Sequence, residues 1–242
     1  MSYSTRYRPG SAITVTLDDR VAFIRKTYAH LAGAIGFFVL CSWALWTSGA
    51  GNAMASALFG GSSMGWIVFM LVFMAAGYGA QAMARNSYSR GVQYAGLGLY
   101  ALLEALIFAP FLALIESLGA TQPGYQNILA PAAIITLAVF TGLTGFVLIY
   151  NKDFSFLGGF ITVGFMAAIG IAIVAMLFGL DIGIWYSAGV IVLASMAVLY
   201  STSNILRYYP PDMYVAAALE LFAEIALLFW YILRLLMQMQ RR

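Results

Sequence analysis

Charge is what this chain has least of. Only 9% of its 242 residues are Asp, Glu, Lys or Arg, whereas 63% are hydrophobic, and mean hydropathy is +0.89. A soluble domain carries about 25% charged residues. So little polar surface cannot cover a water-facing globule, which makes lipid the solvent around much of the chain. Cys41 is the single thiol, which excludes an intrachain disulfide or a thiolate metal centre. His30 is the single imidazole. With no second histidine or thiol to share a metal, it is expected to be an interfacial or packing residue. The first 28 residues have no short apolar core followed by a small-residue cleavage site, so no removable signal peptide is expected. Catalytic signatures are missing too: no His-Glu-x-x-His helix, no Gly-Asp aspartate pair, no serine with a histidine partner other than His30. No enzyme, no cofactor and no firmly assigned metal site are expected. The net charge of +3 does not point to nucleic acid, because the basic residues stand at the ends of apolar runs rather than on one face.

What is present is a series of apolar runs. Seven are long enough to consider as membrane helices, over 29–47, 65–84, 92–115, 127–150, 156–179, 183–201 and 213–237. The expected fold is therefore an all-α integral membrane bundle of seven transmembrane helices. Residues 1–28 form a polar N-terminal segment and residues 29–242 a single membrane domain. Its links are short and contain Gly, Pro, Asn or Ser, as at Gly60–Ser63, Gly119–Gly124 and Pro210–Pro211. Glycines within the runs, such as Gly158, Gly159, Gly164 and Gly170, suit close helix packing, which drives association where lipid removes the hydrophobic incentive. Trp43, Trp46, Trp66, Trp185 and Trp230 read as an interfacial belt.

Lys and Arg set an expected orientation. Arg6, Arg8, Arg20, Arg25, Lys26, Arg85, Arg90, Lys152 and Arg207 fall at alternate ends of the runs, while the opposite links near 48–64, 116–126 and 180–182 hold none. That asymmetry puts the N-terminus in the cytoplasm. Arg234, Arg241 and Arg242 leave two readings of the last run: its length favours spanning, its charges favour a re-entrant return.

Buried acids are the informative feature. Glu104 lies in the third run, Glu220 and Glu224 in the seventh. An ionisable group near mid-bilayer costs about 2.5–3.5 kcal/mol on insertion scales, so such groups face the bundle interior or an aqueous cavity. Glu220 and Glu224, four residues apart, share one helix face with Cβ atoms about 6 Å apart and would titrate jointly. They could form a proton sensor or a cation site. They could also be protonated acids that merely hydrogen-bond their neighbours, and for Glu104 alone the structural role is favoured.

Three motifs in order carry a family resemblance. Asn151–Gly159 resembles the Lys-Asp-x-Ser-Phe-Leu signature of the Bax inhibitor-1 family, through Lys152, Asp153 and Ser155. Leu199–Ile205 is similar to its Leu-Tyr-Asp-Thr-x-x-Ile, and Ala217–Phe229 to its last helix. Ala109–Pro110 also has a counterpart there, and the likeness runs from about residue 20 to 237. It implies six helices around a central C-terminal helix. It further implies a pH-sensitive Ca²⁺ leak, with links to cell death and membrane stress. In the family the pH response is attributed to one aspartate at the end of helix six, one in helix seven, and an arginine at the cytoplasmic end of helix two. Here those positions are Ser201, Glu224 and, as the best match, Arg85, with Arg90 as the alternative. Glu220 stands where the family usually has serine. One carboxyl group is thus absent from helix six, and another stands one turn from Glu224.

The leading expectation is a cation channel or sensor acting through Glu220, Glu224, Ser201 and Glu104, with Arg85 at a gate and Ca²⁺ as the permeant or bound ion. The alternative is a non-conducting regulator that binds a membrane protease or stress factor, with the polar N-terminus as its contact. The lipid bilayer is the expected environment in either case, in a bacterial inner membrane.

Overall fold

The computed structural model describes residues 17–59, 63–86, 88–125, 127–180 and 183–240. Arg6, Arg8, Arg241, Arg242, the Gly60–Ser62 part of the expected turn and the side chain of Trp66 lie outside that set. The described residues form eight α-helices and contain no strand. They are α1 (Leu17–Thr47), α2 (Ala50–Phe59), α3 (Ser63–Ala84), α4 (Arg90–Thr121), α5 (Leu129–Tyr150), α6 (Leu157–Phe178), α7 (Gly183–Arg207) and α8 (Tyr214–Gln240). A 3₁₀ turn, Pro123–Tyr125, precedes α5. Helices α1, α4, α5, α6, α7 and α8 are long and apolar enough to cross a membrane. The chain is a multi-pass membrane protein.

Two differences from the sequence reading have physical causes. The 48–64 link contains a helix of its own, α2, because its Ala-, Met- and Leu-rich residues are good helix formers. At ten residues it is about 15 Å long, half of what a bilayer crossing needs. It packs on α4, and Gly51 makes that approach possible: a Cβ there would sit 2.8 Å from the Ala109 carbonyl oxygen. The first helix also starts at Leu17 rather than residue 29. Asp18 and Asp19 occupy its first turn, where a helix dipole favours negative charge, so residues 17–28 are helical though polar.

Helix α8 is the most buried element. Two thirds (67%) of its most apolar stretch is enclosed, against 6–39% for the other five long helices. It packs against α1, α3, α4, α5 and α7. Alanines at 216, 217 and 218 allow those neighbours in close, and Leu221, Phe222, Leu228 and Ile232 fill the core behind them. Of the glycines expected to serve packing, Gly158 faces Tyr200 and Gly164 faces Leu193, whereas a Cβ at Gly159 or Gly170 would meet nothing within 4 Å. A close approach to backbone lies elsewhere, at Gly96 of α4 against α3. Trp43, Trp46 and Trp185 are exposed, but Trp230 stands edge-on to Phe108 and Phe111, a packing position rather than a belt position. His30 stacks on Tyr94 and tilts against Tyr214, with its Nδ1 2.7 Å from the Lys26 carbonyl.

Direct contacts gather the basic residues at one end of the bundle. Arg20 reaches Tyr209, Arg90 reaches the Asp212 carbonyl, Arg207 reaches Asn151, and Lys26 lies over the Tyr214 ring. The C-termini of α3, α5 and α7 meet the N-termini of α1, α4, α6 and α8 there.

Candidate functional site

At the α7–α8 interface the Ser201 hydroxyl donates a hydrogen bond to Oε1 of Glu224. Glu224 lies ten residues beyond Tyr214, about 15 Å along α8. Its other carboxyl oxygen, Oε2, is buried and has no hydrogen-bond partner. A buried polar atom left unpaired costs roughly 1–3 kcal/mol, so its retention needs a reason.

Glu220 sits one turn nearer the basic end and is held differently. The Tyr209 hydroxyl donates to Glu220 Oε2, and Arg85 Nη2 lies 3.8 Å from the same oxygen. Tyr209 is itself fixed, because Arg20 donates to its carbonyl at 2.9 Å and to that of Ile205 at 2.5 Å. A guanidinium at these carbonyls closes the C-terminus of α7, where cations are favoured. The Pro210–Pro211 pair then carries the chain into α8. Arg90, the alternative to Arg85, is spent elsewhere: it donates to the Asp212 carbonyl at 2.7 Å and lies over the Tyr214 ring.

Ser201, Glu224, Glu220 and Arg85 line a cavity of about 270 Å³, together with Gln81, Tyr200 and apolar residues of α3, α6, α7 and α8. Arg85, with a side chain 60% exposed, stands at its mouth, and the Glu220 side chain is 21% exposed. A guanidinium thus stands at the mouth of the cavity, with one carboxyl behind it and a second carboxyl one turn deeper. Two carboxyls, a hydroxyl and an amide offer at most six oxygens, the lower end of the six to eight that Ca²⁺ takes. Among the described residues no group of three or more His, Cys, Asp or Glu is placed to hold a metal ion.

The remaining expected site residues lie outside the cavity. Glu104 of α4 does not line it. It stands one turn beyond Tyr100 on the same helix. Lys152, Asp153 and Ser155 form the α5–α6 loop at the same end of the bundle. Asp153 accepts from the Ser155 amide at 2.9 Å and from the Tyr208 hydroxyl at 3.0 Å, and the Phe154 amide donates to Ser203 Oγ at 3.0 Å. The Ser155 amide, more than any other contact, holds the Asp153 carboxyl below the ordinary aspartate range. Arg207 adds a bond to the Asn151 carbonyl, whose residue caps α5 in the left-handed region at φ 46°. The motif is a clamp that fixes the C-terminal end of α7, and it acts on the cavity only through that helix.

Sequence reasoning missed Gln81, Tyr209 and Arg20. Gln81 had a signal, being a polar side chain in an otherwise apolar helix. Tyr209 and Arg20 had none, since their roles depend on a contact between residues 189 apart in sequence.

The comparisons with known proteins agree with this architecture. A family model described as inhibitor of apoptosis-promoting Bax1 matches residues 20–241. A relative from Pseudomonas aeruginosa, itself named only as an uncharacterized protein, is 36% identical over 116 residues. That match covers 47% of this chain, and the chain spans about half (51%) of the length of that relative.

Proposed function

Because the chain belongs to the family of inhibitors of apoptosis-promoting Bax1, we propose that it is a pH-sensitive cation leak channel or sensor, with Ca²⁺ as its ion and Glu224 and Glu220 as its site. The observation that carries this reading is the 270 Å³ cavity in which Glu224 keeps an unpaired buried oxygen behind the Arg85–Glu220 contact. In this reading α3 is a seventh crossing, α8 is the axis of the bundle, and the basic end faces the cytoplasm of a bacterial inner membrane.

The mechanism follows from the order of the groups. Arg85 and the Tyr209 hydroxyl occupy Glu220, so a cation entering from the basic end must displace them. Once past Glu220 it meets Glu224, whose Oε2 is free to take it while Ser201 holds Oε1. Protonation of either carboxyl removes the charge that attracts the ion, so proton and cation compete for one site. Glu104, outside the cavity, serves structure.

Reconstitution of the purified full chain into liposomes with a trapped Ca²⁺ indicator tests the reading. The expected result is a Ca²⁺ influx above protein-free liposomes that changes with pH. Absence of influx at every pH would reject conduction and leave the regulator that binds a membrane protease or stress factor.

A further inference from the structure

A second cavity lies at the other end of the bundle, far from the acidic pair. It encloses about 820 Å³, within the range of ligand pockets, and is bounded by α1, α4, α5 and α8. Phe38 and Phe229 form its apolar depth, while Trp43, Trp46 and Glu116 form its outer lip. Phe38 lies nine residues before Thr47, so the groove runs about 13 Å along α1 from the end of that helix toward its middle. Trp43 and Trp46 are exposed, so the groove opens toward lipid.

Two polar features do not fit a mere packing gap. Ser42 lines the groove at 7% exposure, and its Oγ has no hydrogen-bond partner. At the lip, the Trp46 indole donates to Glu116 Oε2 at 2.8 Å, which orients the carboxylate and leaves Oε1 for a ligand. No Lys or Arg among the described residues forms an ion pair with Glu116. A fixed carboxylate flanked by two indoles is a site for an ammonium group, which ion pairing and cation–π attraction both favour.

We propose that this groove holds a membrane phospholipid with an amine headgroup, its acyl chain along Phe38 and Phe229 and its ammonium against Glu116 and the tryptophan rings. The Ser42 hydroxyl meets the polar region where chain and headgroup join. Such a lipid wedges between α1 and α5, both of which pack on α8, and so bears on the helix that carries Glu220 and Glu224.

The test is native mass spectrometry of the full chain in detergent, titrated with phosphatidylethanolamine or phosphatidylglycerol of identical acyl chains. One phosphatidylethanolamine is expected to be retained roughly tenfold more tightly, a preference of about 1.4 kcal/mol. Glu116→Gln, at an exposed position, should erase the preference while phosphatidylglycerol binding stays as it was. An unfolded variant would instead lose both lipids. Ala133→Phe, which fills the groove, should weaken both. Equal retention of the two lipids by the natural chain, a preference that survives Glu116→Gln, or retention untouched by Ala133→Phe would overturn the proposal. None of these readings depends on ion flux.

Discussion

Ser201 and Glu224 are joined across the α7–α8 interface by a hydrogen bond from hydroxyl to carboxyl. The position where relatives of the Bax inhibitor-1 type carry an aspartate therefore still faces the acid of the last helix, as a donor instead of a second carboxyl. That pairing makes Ser201→Ala informative. It would leave the buried Glu224 carboxyl without its hydroxyl donor and lower unfolding free energy by about 1–3 kcal/mol. Chemical unfolding in detergent measures this, and an unchanged midpoint would show that the bond carries no weight.

Arg85 and Tyr209 restrain Glu220 at the cavity mouth. An ion pair this exposed contributes about 0–1 kcal/mol, so Arg85→Gln should scarcely alter stability. It should instead raise Ca²⁺ influx several-fold by freeing the entrance, and Tyr209→Phe should act in the same direction. Stopped-flow influx into loaded liposomes checks both. Slower influx in Arg85→Gln would mean that Arg85 serves conduction rather than closure.

Asp153 predicts a pH dependence separate from the cavity. Its folded carboxyl titrates below the ordinary aspartate value, so the unfolded chain binds the proton more readily. The stabilisation is complete above about pH 3.9, the ordinary aspartate value, and is lost as pH falls through the lowered folded value. Asp153→Ala should therefore melt earlier than the natural chain at pH 7, with the gap closing only in strong acid. Any pH response of influx between pH 5 and 8 has to originate in other groups.

Glycine substitutions separate packing from propensity. A Cβ at Gly96 would sit 2.5 Å from the Ala84 nitrogen and 2.6 Å from the Ala80 carbonyl oxygen, so Gly96→Ala must push α3 and α4 apart at a cost of about 1–3 kcal/mol. Gly159 faces open space, and Gly159→Ala should be neutral or stabilising by about 0.5–1 kcal/mol. Thermal melts should show Gly96→Ala unfolding earlier than the natural chain and Gly159→Ala no earlier.

The long helices were legible because hydropathy alone marks segments that must bury their backbone in lipid. Helix α2 was not, since ten residues that include Gly51, Asn52 and Ser56 look like a link until α4 is there to receive them. The acidic pair was legible as two residues on one helix face. Their inequality was not. Glu220 is restrained by Arg85 and Tyr209, while among the described residues Glu224 is bonded to Ser201 alone, and that division depends on which helices approach α8. In sequence Arg85 was the better match, and Arg90 stayed open because the link has no fixed shape until it folds. The fold ranks them by aiming Arg90 at the Asp212 carbonyl.

The central claim is that Glu220 and Glu224 form one proton and cation site. Ca²⁺ influx into liposomes carrying the Glu220→Gln, Glu224→Gln double variant, measured across pH 5 to 8 beside the natural chain, tests it most directly. The account predicts that the variant loses most of its influx and that what remains is flat with pH. Influx of natural size with its pH dependence intact would contradict it.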